Sequence, residues 1–313
     1  MGSRQKIRNH TVKEWVKLYE AGYSTRQIAK CFHVGQRTVW RYLSKIMKLR
    51  PSLRDGPKYP KKPFCGDSLE KAYLLGLRYT DLSACKHRRQ IQAWLSTSHP
   101  AMLNLFVKLF SKYATVKWYP IYKRDEESYE WTVYCFLDST FEFLVKVHTH
   151  PSWVLTNDAV FLSFFAGCID GDGSISVEQR RNRWWYPAIH FCSENKLLID
   201  CIFQKLKKMG YNPRLRIVQH KGSITYSKYK LTNDLWTLRL GRKNEVINLL
   251  EYLPLKLAEK VEKQKIILDG INKSWIELRN IIHGLRRTIH NETNKCIMEA
   301  QQEYSRRHFS TQN

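Results

Sequence analysis

The sequence predicts an α+β protein in which two similar αββαββα subdomains follow a small all-α domain. The first observation is an apolar, helix-like stretch that ends in aspartate and occurs twice, over residues 73–83 and 164–174. The second is that strand-like and helix-like stretches follow both copies in the same order. The third is a set of short amphipathic helices before residue 48, separated by turns that contain glycine.

The N-terminal domain, expected over residues 1–47, has the pattern of a helix-turn-helix unit and resembles those of resolvase-type and regulator-type DNA-binding proteins. Ser24 or Thr25 is suited to cap its second helix, and Gly35 lies in the turn before the third. The third helix carries no acidic residue, so its exposed face suits a DNA groove; packing against protein is the alternative. The residues that we expect to face outward are Gln36, Arg37, Thr38, Arg41 and Tyr42.

Residues 48–66 have the composition of a linker. They contain four prolines and six basic residues. Proline favours an extended chain, so this segment either follows a phosphate backbone or is simply a solvated basic connection.

The repeated stretch predicts a contact between two helices. Residues 165–173 have the sequence FAGCIDGDG, and residues 74–82 have LLGLRYTDL. Gly167 aligns with Gly76, and Asp172 aligns with Asp81. Small residues let two helices approach closely, which would bring the aspartates together. An aspartate at a helix C-terminus is unfavourable beside the negative end of the helix dipole, so a cation is expected nearby.

Residues 165–173 resemble the LAGLIDADG motif of homing endonucleases, and residues 74–82 resemble a degenerate first copy. The resemblance implies two pseudo-symmetric subdomains, over residues 67–155 and 156–273, whose antiparallel sheets bind DNA. The first copy departs from the motif, since Tyr79 stands where an acid is usual and Leu82 where glycine is usual. Asp81 is kept, and whether Leu82 impairs the first site and leaves a nickase stays open.

Period-2 alternation after each motif predicts strands with one polar face. Helices are expected over residues 101–113 and 196–211, and closing helices over residues 140–146 and 243–252. Residues 274–313 are expected to form a basic helical tail that frays from Tyr304. The strand and turn residues that we expect to contact DNA are Lys86, Arg88, Gln90, Gln92, Lys117, Arg180, Arg183, His190, Arg214, Arg216 and Arg239.

The charge balance predicts a polyanionic partner. The chain has 53 basic and 28 acidic residues, a formal net charge of +25. Ribosomal, nucleic-acid and anionic membrane surfaces all fit this charge, whereas ten tryptophans and seventeen tyrosines exclude a disordered basic tail.

No apolar run reaches the roughly 20 residues of a membrane span. The start has no secretion signal, and the eight cysteines lack metal-binding spacing and are expected to be buried thiols in a reducing compartment. We therefore expect an intracellular protein that is not secreted. The resemblance implies a location in the cytoplasm of an archaeon or in an organelle.

Two converging carboxylates raise each other's pKa unless a cation lies between them, and their hard oxygens suit Mg²⁺. The resemblance implies phosphodiester hydrolysis in which Asp81 and Asp172 each serve one strand, with a staggered cut across the minor groove. It implies metal ligation by the carbonyls of Thr80 and Gly171 also. It implies Mg²⁺ as the cofactor, with Mn²⁺ substituting and Ca²⁺ binding without cleavage. The lysines that it places near the metals are Lys260, with Lys256 as the second choice, and Lys146.

Three hypotheses for the function follow. The first is a site-specific double-strand DNA endonuclease that acts as a monomer on a long target site. The second is an intron-RNA maturase, and the third is a catalytically inactive DNA-binding regulator on the same fold. The presence of the motif aspartate in both copies favours the endonuclease.

Overall fold

The computed structural model describes residues 9–21, 23–46, 61–124, 126–145, 152–180, 184–224 and 230–309. The chain divides into two compact units, Met1–Lys61 and Lys62–Asn313. Each unit is described by itself below.

The first unit is a three-helix domain with its own core. Its helices are α1 (Asn9–Glu20), α2 (Thr25–Cys31) and α3 (Gln36–Ile46). Ser24 caps α2, and Gln27 completes a capping box with it. The fully buried core residues are Trp15, Ile28, Val39 and Leu43. The prediction that Tyr42 faces outward is wrong, because its ring packs edge-on against Trp15 with centroids 6.1 Å apart.

The second unit contains the predicted repeat, so the αββαββα order is confirmed for both halves. The first half consists of α4 (Ser68–Arg78), β1 (Ser83–His87), β2 (Gln90–Thr97), α5 (Pro100–Phe110), β3 (Lys117–Lys123), β4 (Ser128–Leu137) and a 3₁₀ helix (Ser139–Leu144). A second 3₁₀ helix (Ser152–Leu155) leads to the second half. That half consists of α6 (Asp158–Asp170), β5 (Gly173–Arg180), β6 (Trp184–Ser193), α7 (Lys196–Lys208), β7 (Arg214–Gln219), β8 (Leu235–Leu240) and α8 (Lys243–Tyr252). Two further helices, α9 (Ala258–Asp269) and α10 (Trp275–Phe309), follow it.

The two four-stranded sheets are antiparallel and have matching topology. Their strand orders are β1-β2-β4-β3 and β5-β6-β8-β7. Ile91, Ala93 and Leu95 are buried against the helices, so the alternating residues of β2 form the opposite, open face. One apolar core runs through both halves. The helix predicted over residues 140–146 is a 3₁₀ helix that ends at Leu144.

The helices α4 and α6 cross with their backbones in contact. A Cβ built on Gly76 would lie 2.0 Å from the carbonyl oxygen of Phe164, and one on Gly167 would lie 2.2 Å from that of Tyr73. The Ser163 hydroxyl donates a hydrogen bond to the carbonyl of Leu69 at 2.7 Å. The predicted close approach at the two glycines is present.

Helix α10 returns from the second half and packs on the sheet of the first. The Trp131 indole donates to the Cys296 carbonyl at 3.3 Å. Tyr304 packs on Tyr122 and Tyr129, with ring centroids 6.4 and 5.4 Å apart. The expected fraying from Tyr304 is therefore wrong, since this packing keeps the helix regular to Phe309.

Across the described parts of the chain, no helix has the length and apolarity that crossing a bilayer requires. The eight cysteines are unpaired thiols. Cys135, Cys168 and Cys296 are buried as expected, whereas the expectation is wrong for Cys31, Cys65 and Cys85, which are exposed. Cys85 is exposed because its side chain lies on the open face of the first sheet.

Candidate active site

The two motif aspartates lie side by side where α4 and α6 end. A Cβ built on Gly171 would lie 2.0 Å from the Thr80 hydroxyl oxygen and 3.4 Å from the backbone nitrogen of Asp81. Asp172 is the next residue. Asp172 stands directly before β5, which begins at Gly173, and Asp81 stands two residues before β1, which begins at Ser83. Thr80 itself is fixed, since its hydroxyl donates to the Leu77 carbonyl at 3.0 Å.

The surroundings make ionisation of both carboxyl groups difficult. Both residues are partly exposed to solvent. The surrounding protein nevertheless displaces enough water from each carboxyl group to raise its pKa. The negative charge of Asp81 raises the pKa of Asp172 further, to about 6. Neither carboxylate hydrogen-bonds or ion-pairs with another residue that the structure describes. Both are therefore free to bind a cation.

Lys260 supplies positive charge at this point. From α9, its ammonium donates to the carbonyl oxygens of Ile169, Asp170 and Gly171, the last two at 2.9 Å. Burial lowers the pKa of Lys260 to about 8, against the opposing effect of nearby carboxylates. These carbonyls form the negative end of α6, so the ammonium provides the cation expected there from the sequence.

Asp170 anchors the segment that carries Lys260. The fully buried carboxylate accepts hydrogen bonds from the Tyr73 hydroxyl at 2.6 Å, the Lys256 backbone at 2.7 Å and the Leu257 backbone at 3.1 Å. It thereby ties α4, α6 and the start of α9 together. Lys256, the second choice for the lysine of this half, instead places its ammonium over the Tyr73 ring, 4.2 Å from the centroid.

On the first half, His99 occupies the position of a cation near Asp81. Lys146, the lysine expected there, lies outside the described residues. A hydrogen bond from His99 Nδ1 to the Glu259 carboxylate, with Nδ1 and Oε1 3.4 Å apart, raises the pKa of His99. The positive charge of His99 in turn lowers the pKa of Asp81, against the larger effect of burial. No local pattern in the sequence marks His99, because it lies at the N-terminus of α5 and meets Glu259 only in the folded chain.

The open face of the second sheet is basic. Arg214, Arg239 and His190 lie in one row across β7, β8 and β6, and Arg216 lies beside them. Glu178 accepts a hydrogen bond from Arg239 at 2.5 Å and lies 3.4 Å from the His190 ring nitrogen. This arrangement fixes the direction of the Arg239 guanidinium. The side chain of Arg180 and the whole of Arg183 lie outside the described residues.

The open face of the first sheet is more aromatic. Gln90 and Gln92 lie on it as expected, with Lys117 in register with Tyr134 at the edge. The ring of Tyr134 contacts those of Tyr119 and Phe136, with centroids 5.7 and 5.9 Å apart.

Two other residues predicted to contact DNA lie off this open face. Lys86 is on the opposite face, in register with the buried Ile91, and its ammonium is 3.9 Å from Glu142. The alternation of strand β1 places it there, away from Gln90 and Gln92. Arg88 occupies the turn after β1 with φ of 58°.

On helix α3 the expected outward face is largely present. Arg37 and Arg41 are exposed, and Thr38 is half-buried. The Gln36 amide is also exposed and donates to the Thr25 hydroxyl at 3.2 Å.

Residues 160–254 match the family described as LAGLIDADG-like domain. This part of the chain is similar to LAGLIDADG-like domains. Residues 2–45 match the helix-turn-helix domain of resolvase. The resemblance seen in the sequence is thus confirmed for the second subdomain and for the N-terminal domain. The first subdomain has the same strand order as the second, which contains the matched residues. No curated protein matches the chain.

Several solved structures resemble the chain at low identity. The homing endonuclease I-WcaI bound to its DNA recognition sequence is 14% identical, with 60% of this chain and 80% of that chain covered and a TM-score of 0.42. I-DmoI in complex with DNA and Ca is 12% identical, with 59% and 89% covered and a TM-score of 0.39. The full-length DUF199/WhiA from Thermatoga maritima is 15% identical, with 74% and 70% covered and a TM-score of 0.42.

The raised pKa of Asp172 predicts a pH-dependent stability cost in the metal-free protein. The group binds its proton more tightly when folded than its ordinary pKa of 3.8 implies, so the stability that Asp172 contributes is fully present below that pH and is lost as pH rises through about 6. Asp172→Asn should match the wild type near that lower pH and exceed it by about 1 kcal/mol at neutral pH, allowing for partial exposure. Urea unfolding in chelator across this range measures the difference, and a difference independent of pH would contradict it.

Proposed function

We propose that the chain is a site-specific double-strand DNA endonuclease that hydrolyses one phosphodiester bond per strand. The observation that carries the proposal is the pair of carboxylates that have no hydrogen-bond or ion-pair partner among the described residues, where α4 and α6 cross. Asp81 and Asp172 each lead into an open sheet face that bears side chains suited to DNA. The formal net charge of +25 fits the same partner.

The residues present fit a divalent metal shared with the substrate. The described residues contain no cluster of three or more histidine, cysteine, aspartate or glutamate side chains around one point. Mg²⁺ is commonly bound by one or two carboxylates together with waters and substrate phosphates, and does not need a closed protein cage. Asp81 and Asp172 would hold it, with the carbonyl of Thr80 and that of Gly171, which also accepts a hydrogen bond from Lys260. Bound there, the metal supplies charge stabilisation at the phosphate and an activated water.

The remaining steps fall to the chain itself. Lys260 places positive charge beside Asp172, where negative charge develops on the phosphate during hydrolysis. The two sheets hold the duplex, and Arg239, oriented by Glu178, is suited to a base edge. The helix-turn-helix domain extends the contact along a long target. Because both carboxylates belong to one chain, a monomer can make the staggered cut.

A plasmid carrying the intron-insertion locus, the DNA site that a homing endonuclease cuts, tests the proposal. We expect purified protein to linearise this plasmid with Mg²⁺ or Mn²⁺, and to bind it without cutting when Ca²⁺ replaces them. A chelator should abolish cleavage. Specific binding of the plasmid without any strand cleavage in Mg²⁺ or Mn²⁺ would overturn the endonuclease and leave a DNA-binding regulator.

A further inference from the structure

Helix α10 carries a row of basic side chains that belongs to neither sheet. Arg279, His283, Arg286 and His290 follow the spacing i, i+4, i+7, i+11, which places them on one helix face, and Arg287 lies beside them. All five residues are exposed. We call these five residues the α10 basic stripe. They line one concave surface together with Asn280 and Gly284.

The arginines of the α10 basic stripe have no partner among the residues that the structure describes. Residues 278–291 contain no acid, and Arg279, Arg286 and Arg287 form no ion pair or hydrogen bond within the described chain. The same helix pairs arginines elsewhere. Arg306 and Arg307 lie 2.5 and 2.6 Å from the Glu303 carboxylate. The stripe is therefore charge left available for a partner from outside the chain.

The stripe lies close to α9, the helix that carries Lys260. Lys263 follows Lys260 by one turn of α9 and is half-buried. Burial lowers the pKa of Lys263, Glu259 opposes this, and the positive charge of Arg286 lowers it further. Like charges held this close are unfavourable in the free protein, and an anion at this point would relieve the repulsion.

We propose that the α10 basic stripe binds the phosphate backbone of duplex DNA outside the two sheets, an inference that rests on the proposed endonuclease function. From Arg279 to His290 the helix rises about 16 Å. Over that length a duplex carries roughly ten phosphates, so several lie within reach of the five side chains. Contacts to phosphates position the DNA without selecting its sequence. The stripe thus lengthens the bound segment beyond the bases that the sheets contact.

The double variant Arg286→Gln/Arg287→Gln in the full chain tests the stripe. Affinity for duplex DNA is measured in Ca²⁺ at several salt concentrations. Each phosphate contact contributes about 0.9 to the slope of log affinity against log salt, so the slope should fall by about 2. Preference between target and unrelated duplexes should be unchanged, because the lost contacts carry no base information.

Arg306→Gln/Arg307→Gln is the matched control, since it removes two adjacent arginines from the same helix where Glu303 already pairs them. Its slope should equal that of the wild type. The proposal that the stripe binds DNA would be overturned if the Arg286/Arg287 variant kept the wild-type slope. It would also be overturned if both variants reduced the slope equally. If this chain binds duplex DNA but never cuts it, the proposed endonuclease function is wrong, whereas the slope measurement still tests the stripe. Thermal unfolding of both variants checks that each remains folded.

Discussion

Asparagine in place of Asp172 is expected to turn a protein that linearises plasmid into one that only nicks it. Asparagine has nearly the same shape but lacks the negative charge that binds a divalent cation. Loss of several kcal/mol of metal-assisted stabilisation slows hydrolysis on the order of a thousandfold, and only for the strand that Asp172 serves. Asp81→Asn should nick the other strand. Duplexes labelled on one strand at a time distinguish the two outcomes.

Asp269→Asn is the control, because Asp269 is also an exposed aspartate near the C-terminus of a helix, as the last residue of α9. It should cut like the wild type. Unchanged linearisation by Asp172→Asn would contradict the assignment, and loss of both cuts in either variant would contradict one site per strand.

Leu82 bears on the first site. It is buried, and its backbone donates to the Leu77 carbonyl at 2.9 Å, so it closes the turn after α4 where the motif has glycine.

Alanine at Gly76 is expected to destabilise the protein by about 3 kcal/mol or more. Its methyl carbon would lie 2.0 Å from the Phe164 carbonyl oxygen and 2.8 Å from the Cys168 nitrogen, both backbone atoms of α6. Backbone cannot move aside as a flexible side chain can, so the two helices must separate. Separation also displaces Asp81 from Asp172, so cleavage should fall together with stability. Chemical unfolding and the plasmid assay measure the two effects.

Gly284→Ala provides the opposite case within the same chain. Gly284 lies inside α10 with no atom within 4 Å of the added carbon. Alanine is better than glycine within a helix, so this variant should gain about 0.5–1 kcal/mol. If both substitutions gave the same change in the free energy of unfolding, the close crossing at Gly76 would not be what the helices depend on.

The repeat was predictable because its signals are local. Period-2 alternation marked the strands, and the alignment of Gly76 with Gly167 and Asp81 with Asp172 predicted the helix crossing. Contacts between distant segments left no such signal. Asp170 meets the backbones of Lys256 and Leu257 across 86 and 87 residues. His99 and Glu259 are likewise distant in sequence, so no local pattern indicates His99, and the resemblance pointed to Lys146 as the cation near Asp81.

The aspect of a strand residue that the sequence least determined was the face on which it lies. Lys86 and Gln92 both belong to a basic and polar stretch, yet the pairing register puts them on opposite faces of the first sheet. A shift of one residue exchanges the faces, so register decides which side chains meet a ligand. The long helix α10 had apolar residues at helical spacing, but nothing in that spacing indicated the sheet that it covers.

The path of α10 has a consequence for how a target can vary. The two subdomains are joined at the crossing of α4 and α6 and again where α10 packs on β3 and β4. Because these two contacts lie at separate points, they restrict rotation of one sheet relative to the other more than a single contact would. If the proposed function is correct, the protein therefore holds a fixed distance between the two DNA half-sites that its sheets contact. When that spacing changes by one base pair, twist and bend of the DNA must absorb the difference.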